Sequence, residues 1–156
     1  MKKIFYLIAL LSVFTACNDD NNEDKDTQMP VITDDGIQAV PSDCQSFQRG
    51  DTIHFFYIFK DNNCLGKYNL EIHNNFNHHT HSTSSVECDK EDNKQPVNPW
   101  VYNQDFDIPS GLKIFNAQTD IAVPEDIDCG EYHFMIRLTD RAGWQQLRSA
   151  AIRITE

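Results

Sequence analysis

Positive charge is scarce in this sequence, which has 13 lysine and arginine residues against 24 aspartate and glutamate residues. The formal net charge of the 156-residue chain is −11 at pH 7 with neutral histidines. A protein that binds nucleic acid needs a basic surface to neutralise phosphates, and the sequence has no basic stripe of this kind. The composition therefore argues against a nucleic-acid partner and suits the binding of cations.

Motifs of common enzyme and zinc-finger classes are missing as well. The chain has no H-E-x-x-H motif, no G-x-S-x-G motif and no recognisable acid–base pair. None of its five cysteines forms a C-x-x-C spacing, so a cysteine-rich zinc knuckle is not expected. A three-histidine zinc site with an open position could activate water, which keeps hydrolysis as an alternative. The sequence predicts a protein that is not an enzyme.

The chain also lacks an apolar run long enough to span a bilayer. Its longest such run, residues 4–14, follows two lysines and is typical of a secretory signal. The run ends in Phe14-Thr15-Ala16-Cys17, which resembles the lipobox of bacterial lipoproteins with phenylalanine in place of the usual leucine. This resemblance implies that residues 1–16 are a lipoprotein signal peptide and that Cys17 is lipidated. An ordinary signal peptide with a chance cysteine is the alternative.

Residues 17–29 are interpreted as an acidic tether that begins at the lipidated cysteine. Their polar, like-charged sequence cannot bury enough apolar surface to fold. The run at 18–26 resembles the acidic export signal of Bacteroidota lipoproteins. That resemblance implies a protein that is lipid-anchored in the outer membrane and faces the cell exterior. A solvated spacer is the alternative reading, and it is compatible with export.

Residues 30–156 have the length of one domain, show no internal repeat and consist of short apolar runs between turn signals. Strands are predicted at 30–33, 52–59, 65–73, 105–108, 112–123, 132–138 and 150–154. Residues 74–104 hold no obvious strand, and a connection of this length is usually functional or mobile. The frequent turns and the absence of a convincing helix favour an all-β protein built as an antiparallel β-sandwich.

Two regions resemble the B–C and F–G hairpins of bacterial immunoglobulin-like domains, namely residues 59–68 and 130–144. More closely, His73 to Ser82, Asn98-Pro99-Trp100 and Tyr132 to Trp144 resemble an uncharacterised family of Bacteroidota surface lipoproteins. The resemblance covers nearly the whole chain after the tether. It implies an immunoglobulin-like domain with a long His-rich insertion after strand C, and it brings no known activity.

The cysteines of an exported domain are expected to form two disulfide bonds, for which three connectivities exist. They are Cys44, Cys64, Cys88 and Cys129. In a sandwich, Cys44 and Cys129 lie in the A–B and E–F connections, which meet at one end. This placement predicts a Cys44–Cys129 bond and, by elimination, a Cys64–Cys88 bond. A mixed cysteine–histidine metal site that uses Cys88 is the alternative.

Four of the six histidines lie within nine residues. Imidazole is the commonest metal ligand in proteins. Strands C and F are antiparallel neighbours in such a sandwich, and their register sets His133 opposite His73, about 5 Å away between Cβ atoms. We therefore predict a transition-metal site, with zinc the first choice and copper or nickel the alternatives. Its candidate ligands are His73, His78, His79, His81 and His133.

Other readings of these residues remain open. Glu71 and Met135 flank the histidine pair, and the carboxylate is suited to complete the ligand shell or to orient an imidazole. The pair is also consistent with simple packing on an exposed sheet face under Trp100 and Tyr102. His54 falls in the opposite sheet and is predicted to be structural.

Two further hypotheses do not use the histidines. Asp61 and Asp140 fall at adjacent loop tips, as in calcium-bearing sandwich domains, although the usual dense run of carboxylates is missing. Alternatively, the chain is a non-metal adhesion or transporter-accessory module that contacts a protein or glycan through the long loop, with Trp100 and Tyr102 as contact residues. An outer-membrane transporter is the partner that this alternative suggests.

Overall fold

A computed structural model describes residues 25–79, 88–89 and 91–156, which contain eight β-strands. Cys17 and His81 lie outside the described residues. The strands are β1 (Val31–Thr33), β2 (Gln45–Gln48), β3 (Thr52–Lys60), β4 (Leu65–Asn74), β5 (Tyr102–Asp107), β6 (Ile114–Ala122), β7 (Gly130–Asp140) and β8 (Gln145–Thr155). Within the described part of the chain, no helix could cross a membrane.

The strands form two sheets, which confirms the predicted all-β sandwich. One sheet has the strand order β1-β3-β6, and the other has the order β2-β8-β7-β4-β5. All of these pairings are antiparallel except that of β2 with β8, which is parallel. Because β7 lies at the centre of the larger sheet, residues along it have neighbours on both sides.

Aromatic residues join the two sheets in the core. The alternation of β3 buries Ile53, Phe55, Tyr57 and Phe59, as expected for a strand with one face covered. The ring of Phe55 stacks on Tyr68 of β4 and Phe134 of β7, with centroids 6.2 and 5.7 Å away. These contacts cross from the three-stranded to the five-stranded sheet and fix the face that each strand turns inward.

Strand β2 is the one strand that the sequence pattern does not predict. Its sequence, Gln-Ser-Phe-Gln, contains a single apolar residue, and Phe47 is buried. It pairs with β8 at the edge of the larger sheet, with Gln45 opposite Ile152. The chain just before β2 is thereby carried onto the five-stranded sheet.

The predicted disulfide pairing is wrong, because Cys44 is bonded to Cys88 while Cys64 and Cys129 are free thiols. The backbone N–H of Cys44 donates to the carbonyl of Ala151 at 2.8 Å, which holds Cys44 at the edge of the larger sheet. Cys129 precedes β7 and lies about 13 Å along the strand direction from this position. Cys64 lies at the other end of the sandwich, before β4. Only Cys88, carried by the long connection between β4 and β5, reaches Cys44.

Replacing both Cys44 and Cys88 with serine is expected to lower the free energy of unfolding by about 2–4 kcal/mol, because the cross-link restricts the unfolded chain. Urea denaturation under non-reducing conditions measures this change. The matched control is the double variant C64S/C129S, which removes two thiols and no bond. An equal loss of stability in both double variants would contradict the assigned pairing.

Candidate metal centre

Two histidines from neighbouring strands of the larger sheet form the base of the site. His73 of β4 lies directly opposite His133 of β7, as the sequence register predicts. Their ring centroids are 5.5 Å apart. His133 is only 5% exposed, so this face of the sheet is covered rather than open to water. The covering chain is the connection that follows β4.

His79 joins the pair from that connection. Its ring centroid lies 5.5 Å from that of His73 and 5.1 Å from that of His133. We call these three residues the histidine triangle. The chain returns over the sheet because His78 adopts a left-handed conformation, with φ of 55°, and its N–H donates to the carbonyl of Asn75 at 3.1 Å. The turn is anchored in the core by Phe76, which is 3% exposed.

Each ring of the triangle has an acceptor beside one of its nitrogens. Nε2 of His133 lies 3.0 Å from the backbone carbonyl oxygen of His79. Nδ1 of His79 lies 2.6 Å from Oδ1 of Asn77, and Nδ1 of His73 lies 3.0 Å from Oε1 of Glu71. In a neutral imidazole, the nitrogen that faces an acceptor carries the proton, and the other nitrogen carries the lone pair that a metal ion binds. The hydrogen bonds of His79 and His133 thus favour Nε2 of His79 and Nδ1 of His133 as the atoms that would bind a metal ion.

Of the two remaining predicted ligands, His78 and His81, the first lies outside the triangle. His78 turns away from it, and its Nε2 lies 2.9 Å from Oε2 of Glu131. The other oxygen of Glu131 lies 3.6 Å from the guanidinium of Arg153, so His78 belongs to a charge network beside the triangle. The predicted ligand His81 lies outside the described residues.

The connection between β4 and β5 is fastened next to the triangle at several points. Cys44, bonded to Cys88, donates its N–H to Ala151, and Ala151 lies opposite His133 in the register of β7 and β8. Arg153 of β8 contacts the backbone carbonyl of Asp89 and lies 3.5 Å from the Glu91 carboxylate. The disulfide and these contacts hold the connection against the same sheet as the triangle. Sequence reasoning missed this support because it placed Cys44 in a loop at the end of the sandwich.

Trp100 is a core residue and does not serve as an exposed contact. It is 5% exposed, and its ring centroid lies 6.4 Å from that of Tyr132. Its backbone N–H donates to the Tyr132 hydroxyl at 3.2 Å. The expectation that Trp100 forms part of an adhesive surface is therefore wrong, because a buried indole offers no area to a partner.

His54 lies in β3, in the sheet opposite the triangle, as predicted. Its side chain is 75% exposed, and its Nδ1 lies 2.7 Å from Oδ1 of Asp120 on β6. An exposed pair of this kind contributes little to stability. His54 therefore serves as a reference histidine for substitutions in the triangle.

A family model described as "Domain of unknown function (DUF4625)" matches residues 15–155. The matched range includes all eight strands, the connection between β4 and β5, and the three histidines of the triangle. No curated protein matches the chain.

Proposed function

The chain belongs to the DUF4625 family, and on that premise we propose that it is a binding module that holds a transition-metal ion at the histidine triangle. One observation carries the proposal, namely the spacing of the three rings. In a tetrahedral site with Zn–N distances of about 2.0–2.1 Å, the centroids of two coordinating imidazoles lie about 5.2 Å apart. The centroids of His73, His79 and His133 are separated by 5.1–5.5 Å.

The chemistry of the ligands favours zinc over the harder cations. Three neutral imidazoles suit zinc, copper or nickel, and a tetrahedral arrangement with three protein nitrogens is a common zinc site. The acceptors beside the rings, Glu71 and Asn77 among them, correspond to the outer residues that orient metal-bound imidazoles. His81 remains the sequence-predicted candidate for a further ligand.

The direct test is the metal content of the purified protein, prepared without a histidine tag, followed by titration with Zn²⁺, Cu²⁺ and Ni²⁺. Binding of one equivalent that requires His73 and His133 supports the proposal. If none of the three ions binds the wild-type protein more tightly than a variant with all five candidate histidines replaced by alanine, the proposal is wrong.

The proposal includes a location at the outer face of the outer membrane, with the lipidated Cys17 as anchor. Support comes from the sequence alone, in the lipobox-like residues 14–17 and the acidic run 18–26 of Bacteroidota type. Two acyl chains give stable anchoring at roughly 0.8 kcal/mol per buried methylene. A surface lipoprotein of this design would capture or buffer a metal ion outside the cell.

Replacing Cys17 with alanine is expected to abolish lipidation and membrane retention, since the acylated thiol is lost. Metabolic labelling with a fatty acid, followed by membrane fractionation, measures both effects. Deletion of residues 19–24 serves as the control, because it should leave the label in place and reduce only cleavage by protease added to whole cells. A Cys17→Ala protein that still takes up the label would contradict lipidation at this position.

We also propose that the β-sandwich is of the immunoglobulin-like type. The strand order β2-β8-β7-β4-β5 facing β1-β3-β6 corresponds to the A′-G-F-C-C′ and A-B-E sheets of that fold. The Tyr132 hydroxyl donates to the carbonyl of Asp128 at 2.7 Å, at the start of the strand that corresponds to F. This contact resembles the tyrosine corner of immunoglobulin-like domains. Burial raises the pKa of Tyr132 to about 12, as expected for a hydroxyl held inside the domain.

A contact function for the long connection is the second candidate, and exposed apolar side chains favour it. Val97 and Val101, on either side of the buried Trp100, are 88% and 73% exposed. An adhesion or transporter-accessory module would use such side chains to contact a protein or glycan. Replacing both valines with serine should abolish this contact and leave metal binding unchanged, which separates the two functions.

A further inference from the structure

Three carboxylates converge at the end of the sandwich away from the histidine triangle. They belong to Asp26 in the N-terminal segment, Asp61 between β3 and β4, and Asp140 at the end of β7. One oxygen from each carboxylate lies within 4.8 Å of the others. Asp140 is only 4% exposed, and Asp26 and Asp61 are half-buried.

Two of these carboxylates are held by one oxygen and leave the other without a partner. Oδ1 of Asp61 accepts the backbone N–H groups of Asn63 and Cys64, at 2.8 and 2.6 Å. Oδ1 of Asp140 accepts the N–H of Trp144 at 2.8 Å. The Oδ2 atoms of Asp61 and Asp140 are buried and have no hydrogen-bond partner within the described residues. A buried carboxylate oxygen in this state is costly unless a cation binds it.

The neighbouring cations do not neutralise the group. None of the ion pairs within residues 25–79, 88–89 and 91–156 involves Asp26, Asp61 or Asp140. Lys113 donates from its Nζ to the backbone carbonyl of Asn62 at 2.8 Å and forms no ion pair with the three carboxylates. Three carboxylates at this separation repel one another, and a divalent cation would remove most of that repulsion.

We propose that Asp26, Asp61 and Asp140 bind a calcium ion. Calcium takes oxygen ligands at 2.3–2.6 Å, so ligands on opposite sides of the ion lie about 4.6–5.2 Å apart. Opposite ligands of magnesium lie only about 4.0–4.2 Å apart, in a stricter octahedral geometry. Oxygens that all lie within 4.8 Å of one another can contact one ion, and carboxylates from three separate segments suit the less strict coordination geometry of calcium. The remaining positions are open to backbone carbonyls and water.

The calcium site is independent of the proposed zinc site. Leu65 pairs with Asp140 at one end of β4, and His73 pairs with His133 at the other, eight residues or about 26 Å along the strand. Oxygen ligands select hard cations and imidazoles select transition metals, so the two sites also differ in chemistry. Failure at one site carries no consequence for the other.

The site would fasten the N-terminal segment to the sandwich. Asn62 Nδ2 donates to Oδ1 of Asp26 at 3.1 Å, and the indole Nε1 of Trp144 donates to the Asp26 carbonyl at 3.0 Å. Asp26 is thus already docked between the two loops that supply the other carboxylates. A bound calcium ion adds a strong link to this contact and fixes where the N-terminal segment leaves the domain.

Calcium titration by calorimetry tests the site in the purified full chain, with Tb³⁺ as a luminescent probe that Trp144 is positioned to sensitise. Asp140→Asn and Asp26→Asn should each weaken calcium binding at least tenfold, because each removes a charged ligand. Asp26→Asn lies outside the sandwich strands, so a loss in this variant cannot be attributed to a folding failure. His133→Ala should bind calcium like the wild type.

The matched control is Asp51→Asn, which removes the same charge from another turn, where Oδ2 of Asp51 accepts the N–H of Gln48 at 2.8 Å. Calcium should also slow trypsin cleavage after Lys25 in the wild type and not in Asp26→Asn. The proposal is overturned if the wild type binds calcium no more tightly than Asp140→Asn, or if Mg²⁺ competes as well as Ca²⁺. Unchanged cleavage after Lys25 in saturating calcium would overturn the fastening of the N-terminal segment.

Discussion

Replacing His133 with alanine is expected to lower the affinity for Zn²⁺ by about 100-fold or more. Structural zinc sites with four protein ligands bind with roughly 10–16 kcal/mol, so each ligand contributes about 3 kcal/mol. His133 is 5% exposed and lies on the central strand of the larger sheet, which holds it in a fixed position. Competition of the protein with a zinc-binding dye, measured for wild type and variant, gives the change in affinity.

His73→Ala should have an effect of the same size, because His73 occupies the same row of the sheet. His79 is carried by the connection after β4, and its replacement should cost less affinity if a neighbouring histidine takes its place. Zinc affinity in the wild type should also fall as the pH drops below about 6.5, since protonated imidazole does not bind metal. The affinity falls and does not rise at low pH, because protons compete with zinc for the same lone pairs.

His54→Ala is the control for these variants, because it removes an exposed histidine from the opposite sheet. It should bind zinc like the wild type, and so should His78→Ala if His78 stays with Glu131. Circular dichroism of each variant establishes that the sheet is retained. Zinc affinity that is equal in His133→Ala and His54→Ala would contradict the triangle as the binding site.

The row that carries the site could be predicted from the sequence because the predicted sandwich sets β4 and β7 side by side as antiparallel neighbours. Residues 140–143 close the hairpin between β7 and β8, and the alternation of β4 and β7 fixes which residues face inward. Once β4 and β7 are taken as neighbours, the pairing of His73 with His133 follows from their distances to the strand ends. The same alternation predicts Phe134 and Ile72 in the core, where both are found.

The disulfide could not be predicted in the same way, because it depends on a parallel edge strand with almost no pattern of its own. The four residues of β2 bury only Phe47, and β2 is positioned by its hydrogen bonds to β8. Parallel pairing of distant segments leaves little trace in local sequence. Without β2, Cys44 reads as a loop residue at the end of the sandwich, and Cys88 has no obvious partner.

Which histidines act as ligands also depends on backbone geometry. Composition could not separate His78 from His79, because a left-handed residue at position 78 sends the two rings in different directions. The role of Asp26 could not be predicted for another reason. Its sequence neighbours are typical of a disordered segment, yet its backbone carbonyl accepts from Trp144 and its side chain accepts from Asn62. Local sequence patterns contain neither the backbone conformation of His78 nor the tertiary contacts of Asp26.

Trp100, which the sequence predicts at the surface, lies in the core and is expected to contribute strongly to the free energy of unfolding. An aromatic residue just after a proline in a polar segment is typical of a surface contact. The ring of Trp100 nevertheless belongs to the core, together with those of Phe76 and Tyr132. The core therefore extends beyond the strands and includes the end of the connection that carries His79 and Cys88. Stability and the position of the connection are linked through this indole.

Replacing Trp100 with alanine is expected to lower the free energy of unfolding by about 3–5 kcal/mol, because it leaves a large cavity beside Tyr132 and removes buried apolar area. Urea denaturation monitored by circular dichroism measures this loss. Trp144→Ala is the matched control: Trp144 is 42% exposed, and its truncation should cost much less stability. If Trp100 were an adhesive surface residue, Trp100→Ala would retain the stability of the wild type, and the two tryptophan variants would unfold at similar urea concentrations.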